Sequence, residues 1–444
     1  MDGVQYAAVA RNLAKGIGSF WFPVFSDNYV AGLNSFHEHP PLVYYLQSFF
    51  FKIFGFNNIY PERIYGLAIL ISTSYYIILI WKKVFAENIS VAKHWWLPIL
   101  LWVAMPIVFW AYVNNVHEIT VSLFTTAAVY YFVCATEKKY VYFNLYFLLG
   151  VSAIVFAFLS KGFPALFPLV FFAIHFLVYR EKTNFSKAFV STIAVIILLI
   201  VAAIIVLANS EARASMHIWF FDRMVHRIAN NPVAGNHFYI LEGLFTEQLT
   251  SLLLCILLFF TYKLLKIQNR FNTKHFYFFI WLAFSGSLPL MLTLVQRNFY
   301  FVPSLPLFAI AWAIPVANGI EIFSEKLYRN TKVRSAINLI LIIAFSAGIL
   351  TTFYKAGNIK REKEMLQDVY TLSNKINNTT VCVPAEIMWN NWQFRCYMMR
   401  YNDVAFSVSD TCLYYVDYKN AVLNQNYKMA QPDNLIMFQL LEKI

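Results

Sequence analysis

Long apolar stretches alternate with short polar ones along most of the chain. Ten stretches approach the roughly 20 residues that a helix needs to cross a bilayer. They are residues 63–81, 95–112, 118–135, 141–159, 163–179, 188–208, 249–266, 276–295, 299–318 and 335–354. Residues 41–55 are also apolar, but shorter and aromatic, which favours a helix lying at the membrane interface. The pattern predicts an α-helical integral membrane protein with about ten transmembrane helices.

Basic residues cluster in every second loop between these stretches. The clusters comprise Lys82, Lys83, Lys138, Lys139, Arg180, Lys182, Lys263, Lys266, Arg270, Lys274, Lys326, Arg329, Lys332 and Arg334. Because cytoplasmic loops carry an excess of Lys and Arg, the pattern predicts that these loops are cytoplasmic. The opposite, extracytoplasmic face then holds an outer loop of residues 1–62, a long loop of residues 209–248 and the tail. Isolated ionisable residues collect on this face, and such residues near a membrane are often functional.

This orientation puts the N-terminus outside, although no apolar stretch precedes residue 39. We therefore expect that a first span belongs before the sequence as given. Unaided translocation of a short N-terminal tail is the alternative.

The tail is less apolar than the rest of the chain. Residues 361–376 have the spacing of an amphipathic helix, and residues 379–385 and 412–418 read as strands. The sequence thus predicts a transmembrane domain of residues 1–354 and a small extracytoplasmic α/β domain of residues 355–444.

Five cysteines show no CxxC or other metal-ligand spacing. Cys382, Cys396 and Cys412 lie in the tail, so one disulfide can form in an oxidising compartment, and the sequence does not say which pair forms it. Cys134 and Cys255 lie in apolar stretches, where packing in the core is expected.

Composition supports a protein that lives in the lipid bilayer. The chain is 59% hydrophobic and 13% charged, whereas soluble domains are about a quarter charged. The net charge of +12 does not indicate nucleic-acid binding, because the basic residues sit in short clusters between apolar segments.

Several segments, taken in order, resemble one enzyme family. MDGVQYAAVARNLAKGIGSFWFP (1–23), HEHPPLVYYLQSFFFKIFG (37–55) and PERIYGLAILISTSYYIILIWKKVF (61–85) are similar to the start of GT-C fold glycosyltransferases. FLSKGFPALFPL (158–169) and QRNFYFVPSLPLFAI (296–310) are similar to later elements of that family. The resemblance covers about residues 1–320. It is to the branch that contains protein O-mannosyltransferases and the lipid A aminoarabinose transferase.

Two positions depart from that branch. Gly3 follows Asp2 where the family often has Glu, and His39 stands where the aminoarabinose branch has Lys. The aminoarabinose activity itself is therefore not implied.

The resemblance implies transfer of a sugar from a polyprenyl-phosphate carrier to an acceptor on the outer membrane face. The acceptor is left open among glycan, lipid and protein, and a bacterial inner membrane is the expected location. The chemistry requires no cofactor. The alternative is a transporter or flippase for a lipid-linked sugar, for which paired repeats or broken helices with polar groups near the bilayer centre are typical. Polar groups crowded on one face favour the enzyme.

Two carboxylates are candidates for catalysis. The resemblance assigns Asp2 as the general base that takes the acceptor's hydroxyl proton during an inverting displacement; a merely solvated residue is the alternative. Glu38 stands between His37 and His39, and the Pro-Pro pair that follows fixes the start of the interfacial helix. Glu38 is expected to orient the acceptor or to bind a divalent metal with a histidine. Local capping is the alternative.

Two cations are candidates for binding the donor phosphate. The resemblance places Lys161 and Arg297 near the leaving phosphate, whose growing charge cations stabilise. The alternatives are that Lys161 reaches to the interface and that Arg297 pairs with lipid headgroups. His117 is expected to face the pocket, and Glu118 to stabilise the N-terminus of its helix.

The long outer loop supplies further candidates for contacts with acceptor or phosphate. They are Asp222, Arg223, His226, Arg227 and His237. A solvated amphipathic helix on the membrane surface is the alternative. All of these side chains are expected to meet in one cavity at the outer leaflet.

Overall fold

The computed structural model describes residues 2–26, 35–138, 140–267, 271–329, 331–355, 357–359, 361–422, 425–430 and 434–444. Its helices are α1 (Asp2–Ala14), α2 (Leu42–Phe54), α3 (Pro61–Val84), α4 (Ile89–Ala92), α5 (Trp96–Val103), α6 (Pro106–Val113), α7 (Glu118–Thr136), α8 (Leu145–Lys161), α9 (Phe171–Val178), α10 (Phe185–Ala208), α11 (Ser210–His217), α12 (His226–Asn230), α13 (Tyr239–Leu264), α14 (Thr273–Ser287), α15 (Leu305–Tyr328), α16 (Thr331–Lys355), α17 (Lys363–Leu372), α18 (Ala385–Asn390) and α19 (Trp392–Asn402). The 3-10 segments are Val141–Phe143, Phe163–Val170, Leu288–Leu292 and Asn298–Ser304, and Ile218–Val225 is a π-helix. Lys139 and Arg270, two of the predicted cytoplasmic basic residues, lie outside the described residues.

Membrane-length helices account for most of the predicted apolar stretches. Within the described residues, seven helices are long and apolar enough to cross a bilayer. They are Pro61–Val84, Glu118–Thr136, Phe185–Ala208, Tyr239–Leu264, Thr273–Leu292, Asn298–Lys326 and Arg334–Lys355. The predicted interfacial stretch forms α2, a helix of 13 residues.

Three of the ten predicted stretches differ from full-length spans, and each difference has a local cause. The stretch 95–112 forms α5 and α6, which are bent by 78° where Pro106 starts a new helix. The helix α8 begins at an Asn144 cap and ends at Gly162, whose φ of 87° favours glycine. The stretch 163–179 begins with the 3-10 segment Phe163–Val170, which contains two prolines, and only Phe171–Val178 is α-helical. Counting the bent pair as one span gives eight spans in the described part of the chain.

Contacts divide the chain into two compact units. One comprises Met1–Phe36, Tyr44–Glu62 and Tyr328–Ile444, and the other comprises His37–Val43 and Arg63–Leu327. The predicted domain boundary at residue 354 stays a prediction.

In the second unit, the long helices pack as a membrane bundle. The helix α7 packs along α8 and against the 3-10 segment Asn298–Ser304, and α14 packs against Phe163–Val170. In contrast, α10 exposes a row of large apolar side chains that includes Ile197, Ile200 and Ile204. Since such a surface is unfavourable in water, it is suited to lipid tails.

In the first unit, the tail forms a small α/β fold. Strands β1 (Thr379–Cys382), β2 (Val404–Ser407), β3 (Tyr414–Tyr418), β4 (Tyr427–Met429) and β5 (Phe438–Lys443) have the order β2-β1-β3-β5-β4. Strand β1 is parallel to β2 and β3, whereas β5 is antiparallel to β3 and β4. The helix α17 and strands β1 and β3 confirm three predicted elements.

A buried carboxylate joins α17 to the sheet. Asp368 accepts hydrogen bonds of 2.7, 2.7 and 3.0 Å from the N–H groups of Ile436, Met437 and Phe438. These bonds satisfy backbone donors at the start of β5.

The predicted disulfide is confirmed and its pair identified. Cys382 is bonded to Cys412, which ties the end of β1 to the segment before β3. Cys396 is a buried thiol in α19. Cys134 and Cys255 are buried in α7 and α13.

Buried ion pairs within the first unit tie its N-terminal segments to α19. Arg11, 1% exposed, donates to the carbonyl of Arg400 at 3.0 Å and to Asp403 Oδ1 at 2.5 Å. Burial lowers the pKa of Arg11 to about 10, although Asp403 opposes the shift. Arg400 in turn donates to Glu62 Oε2 at 2.7 Å. Arg11 of α1 and Glu62 are therefore each held to the tail by an ion pair.

Candidate active site

The centre of the candidate site is a buried ion pair between Lys161 and Glu118. Lys161 is the last residue of α8, and Glu118 is the first residue of α7. Their side chains are 9% and 1% exposed. The carboxylate lies at the positive end of the α7 dipole, as predicted, while His117 occupies the N-cap position. What the sequence did not reveal is that Glu118 also neutralises Lys161.

Lys161 also lies against the segment that contains Arg297. Its Nζ is 4.8 Å from the ring centre of Tyr300 and 5.6 Å from that of Phe299. The N–H of Tyr300 donates to the carbonyl of Arg297 at 2.9 Å. Lys161 thus contacts the segment that begins at Arg297, and the role of both residues as phosphate ligands stays a prediction. Arg297 is exposed and, in the part of the chain that the structure describes, forms no ion pair.

Tyr300 and Phe299 contact Lys161, but the sequence did not predict them as site residues. Aromatic faces attract ammonium groups, so these rings help to hold Lys161 in place. The available signal was the aromatic pair two and three residues after Arg297, in the element that carried the family resemblance.

Two histidines lie beside the ion pair. The rings of His39 and His117 have centres 4.9 Å apart. Burial lowers the pKa of both residues well below 6.5, and the positive charge of Lys161 adds to the effect. Both imidazoles are therefore neutral at pH 7.

The segment before α2 contacts the long outer loop. Glu38 forms an ion pair with Arg223, and both side chains are partly exposed. His37 is buried, and its Nδ1 is 3.3 Å from the hydroxyl of Ser215. Burial lowers the pKa of His37 to about 4, with a further contribution from Arg223. Glu38 is thus held by a cation of the loop in which the sequence predicted contacts.

The remaining loop candidates occupy different environments. Arg227 lies close enough to His39 for its charge to lower the pKa of that histidine. Asp222 and His226 are exposed. His237 is also exposed, with its Nδ1 2.6 Å from the carbonyl oxygen of Met291.

Gln296 connects the outer loop to the Arg297 segment. Its Nε2 donates to the carbonyl of His237 at 3.0 Å, and its Oε1 accepts from the N–H of Ile240 at 2.9 Å. The side chain of Gln296 is fully buried. The loop that carries His237 is therefore fixed next to a predicted phosphate ligand.

Asp2 belongs to the first compact unit. It is exposed in the first turn of α1. Burial raises the pKa of the Cys396 thiol, and the carboxylate of Asp2 adds to that effect. The role of Asp2 as a general base stays a prediction.

An apolar groove of about 630 Å³ lies in the second unit, between α8, the 3-10 segment Phe163–Val170, α10 and the π-helix. Leu159, Phe163, Ala203 and Trp219 are among the side chains that line it. Leu159 and Phe163 stand two residues before and after Lys161. Lys161 itself is not among the lining residues, whereas Arg213 is, so a cationic side chain lines a groove that is otherwise almost entirely apolar.

A divalent metal near Glu38 also stays a prediction. Within the described residues, no group of three or more His, Cys, Asp or Glu side chains is arranged to hold a metal ion.

Comparisons with known proteins agree with this architecture. Residues 38–206 match the family model of dolichyl-phosphate-mannose-protein mannosyltransferase. The structure matches the crystal structure of ArnT from Cupriavidus metallidurans bound to undecaprenyl phosphate, with a TM-score of 0.64 and 13% sequence identity over 100% of this chain and 94% of that chain. The chain has the GT-C fold. The predicted fold class and the resemblance to polyprenyl-phosphate-sugar glycosyltransferases are confirmed.

A second ArnT structure from the same organism, in the apo state, matches with a TM-score of 0.48 and 14% identity over 83% of this chain and 64% of that chain. No curated protein sequence matches the chain.

Proposed function

We propose that the protein is a membrane glycosyltransferase that moves a sugar from a polyprenyl-phosphate carrier to an acceptor on the extracytoplasmic face. The observation that carries the proposal is the apolar groove, whose lining includes Leu159 and Phe163, two positions before and after Lys161 in the chain. The match of residues 38–206 to a dolichyl-phosphate-mannose-dependent family supports it. The shared fold with ArnT, whose crystal structure holds undecaprenyl phosphate, supports the carrier class.

The tail and the phosphate of the donor are proposed to bind at different places in the site. Its isoprenoid tail lies in the apolar groove, where packing against apolar side chains replaces packing against lipid tails. Its phosphate lies near Lys161 and Arg297. Lys161 already forms an ion pair with Glu118, so only part of its positive charge is available to the phosphate. Arg297 supplies a positive charge that no carboxylate balances in the described part of the chain.

Transfer proceeds by one displacement at the anomeric carbon. The acceptor hydroxyl oxygen forms a bond to that carbon as the bond to the phosphate oxygen breaks, and the configuration inverts. Asp2 takes the hydroxyl proton. The electron pair of the broken bond stays on the carrier phosphate, whose added negative charge the cations stabilise more in the transition state than in the ground state.

Glu38 and its partner Arg223 are proposed to contact the acceptor. Their side chains keep partial exposure, 20% and 27%, so an incoming hydroxyl compound can reach them. The proposal covers glycan, lipid and protein acceptors alike, because each can present a hydroxyl group. A bacterial inner membrane, with the site on its outer face, is the proposed location.

The groove is tested with a matched pair of variants on α10. Ala203→Trp fills the groove, whereas Val201→Trp adds the same ring to a lipid-exposed position that does not line it. Binding of a fluorescent polyprenyl phosphate to the purified full chain in detergent is measured for both. We expect at least tenfold weaker binding for Ala203→Trp alone. Equal affinities in the two variants would contradict the placement of the tail.

An assay in detergent distinguishes an enzyme from a transporter, because solubilised protein can transfer a sugar but has no membrane across which to move a lipid. Detergent-solubilised protein is mixed with lipids from a strain that lacks the gene, and mass spectrometry follows the carrier-linked sugars and the glycans. Transfer of a sugar from carrier to acceptor in this mixture supports an enzyme. Accumulation of an unchanged lipid-linked sugar in the deletion strain, with no transfer in detergent, would indicate a transporter.

A further inference from the structure

A second cavity, larger and more polar than the groove, lies at the basic-loop ends of the bundle. Its volume is about 770 Å³. It lies within the second compact unit, between the end of α3, the end of α7, the start of α10 and the start of α14. The function proposed above does not use it.

The cavity wall carries four lysines: Lys83, Lys182, Lys187 and Lys274. Two of them are neutralised, because Lys83 pairs with Glu137 and Lys274 pairs with Glu181.

Lys182 and Lys187 form no ion pair in the described part of the chain. The remaining carboxylate of the lining, Glu87, is exposed. The wall therefore keeps an excess of positive charge after its internal pairs are counted.

Two helix N-termini add to this positive potential. Asn184 caps α10 by accepting from the N–H of Lys187 at 2.8 Å, and Asn272 caps α14 by accepting from the N–H of Lys274 at 3.0 Å. Residues at both starts line the cavity. A helix N-terminus carries roughly half a positive charge and attracts phosphate groups. Here two of them open into the same space.

A buried hydroxyl provides an observation independent of charge. Ser191 lies four residues after Lys187, hence on the same face of α10, and lines the cavity. It is 0% exposed, and its hydroxyl has no hydrogen-bond partner among the described residues. Since buried hydroxyls normally have a partner, the site favours a ligand with hydrogen-bond acceptors.

We propose that this cavity binds a phosphoryl anion, as carried by the headgroup of an anionic membrane lipid or by free phosphate. Lys182 and Lys187 supply the charge, and the caps of α10 and α14 supply the dipoles. The position at the basic end of the bundle, next to the bilayer surface, makes a headgroup accessible. This site is separate from the donor site in the bundle and does not depend on the glycosyltransferase proposal.

Ligand-induced thermal stabilisation of the full chain in a zwitterionic detergent tests the proposal. The probes are dihexanoyl phosphatidylglycerol, dihexanoyl phosphatidylcholine and sodium phosphate. The test variant is Lys182→Gln/Lys187→Gln. The matched control is Lys82→Gln/Lys263→Gln, which removes the same charge from two exposed lysines outside the cavity wall.

We expect phosphatidylglycerol to bind the wild type and the control, and to bind the test variant at least tenfold more weakly. Phosphatidylcholine should bind all three proteins weakly, because its headgroup has no net charge. Stabilisation by sodium phosphate that the test variant loses would support the site and identify a free anion as its ligand. Equal losses in both double variants, equal binding of the two lipids, or no response to either anion would overturn the proposal.

Discussion

Replacing Lys161 by methionine should destabilise the protein strongly, because Glu118 would keep its charge without its partner. The two side chains are 9% and 1% exposed, so solvent and salt screen them little. Removing one partner of a buried pair costs about 3–5 kcal/mol. Glu118→Gln should cost a similar amount, because it leaves the ammonium group buried.

The double variant Lys161→Met/Glu118→Gln should recover most of this loss. It removes both charges together, and a neutral pair of similar shape is tolerated in a buried site. Since the two single losses together amount to about 6–10 kcal/mol and the double variant should lose little, the double-mutant cycle should give a coupling free energy of about 5 kcal/mol or more. Thermal and denaturant unfolding in detergent measure the three variants against the wild type.

An exposed ion pair in the same protein is the control. Lys274 and Glu181 are 44% and 72% exposed. Exposed pairs contribute about 0–1 kcal/mol, so the same cycle on this pair should give a coupling below about 1 kcal/mol. Equal coupling in the two cycles, or additive losses at Lys161 and Glu118, would refute the reasoning from burial.

Activity of the double variant separates the two roles of Lys161. If the lysine stabilises the leaving phosphate, the stable double variant should transfer sugar about 100-fold more slowly. Transfer at the wild-type rate would show that Lys161 only supports the fold, and would remove it from the donor site.

Three further predictions concern other parts of the chain. Asp2→Asn should lower transfer by about 100-fold or more without a change in Tm, since Asp2 is exposed; undiminished transfer would refute the base assignment. The pKa of His37 is about 4 in the folded protein against a reference of 6.5. The unfolded chain therefore binds more protons between these values, and stability falls as pH is lowered from 6.5 to 4; His37→Gln should flatten this part of a Tm–pH curve. Removing the Cys382–Cys412 disulfide should cost about 2–4 kcal/mol in an unfolding assay, and mass spectrometry of non-reduced peptides should find Cys396 as a free thiol.

The membrane helices could be predicted because apolar length is a local property of the sequence. The interruption between α5 and α6 could not be read from hydropathy alone, since Pro106 sits inside an otherwise uniform apolar stretch. A proline marks a probable break, but whether the two halves continue in line or bend by 78° depends on what they pack against.

The sheet was predicted only in part. Strands β1 and β3 follow from runs of β-branched and aromatic residues. Strands β2 and β4, of four and three residues, and β5, of six residues, were not predicted. Each of them pairs with a neighbouring strand of the sheet, and that pairing is not a local property of the sequence. The tail's amphipathic helix α17 was clear because its apolar spacing is helical.

The candidate residues of the site could be found one by one, but their pairing could not. Lys161 and Glu118 are 43 positions apart, and the sequence assigned them separate roles as phosphate ligand and helix-terminal carboxylate. Likewise, nothing in the sequence linked Glu38 to Arg223. Such pairs depend on which helices pack together and at what height, which apolar periodicity does not encode.

The ion pair between Arg11 and Asp403 has a consequence for biogenesis. Its two residues are separated by 392 positions, and ribosomes add roughly 5–20 residues per second. Arg11 therefore waits roughly 20 to 80 seconds after its own synthesis before its partner exists. During that time Arg11 lacks the carboxylate of Asp403, and α1 lacks its contacts with Cys396 and Met399. This part of the first unit can therefore reach its final packing only after the tail has been synthesised.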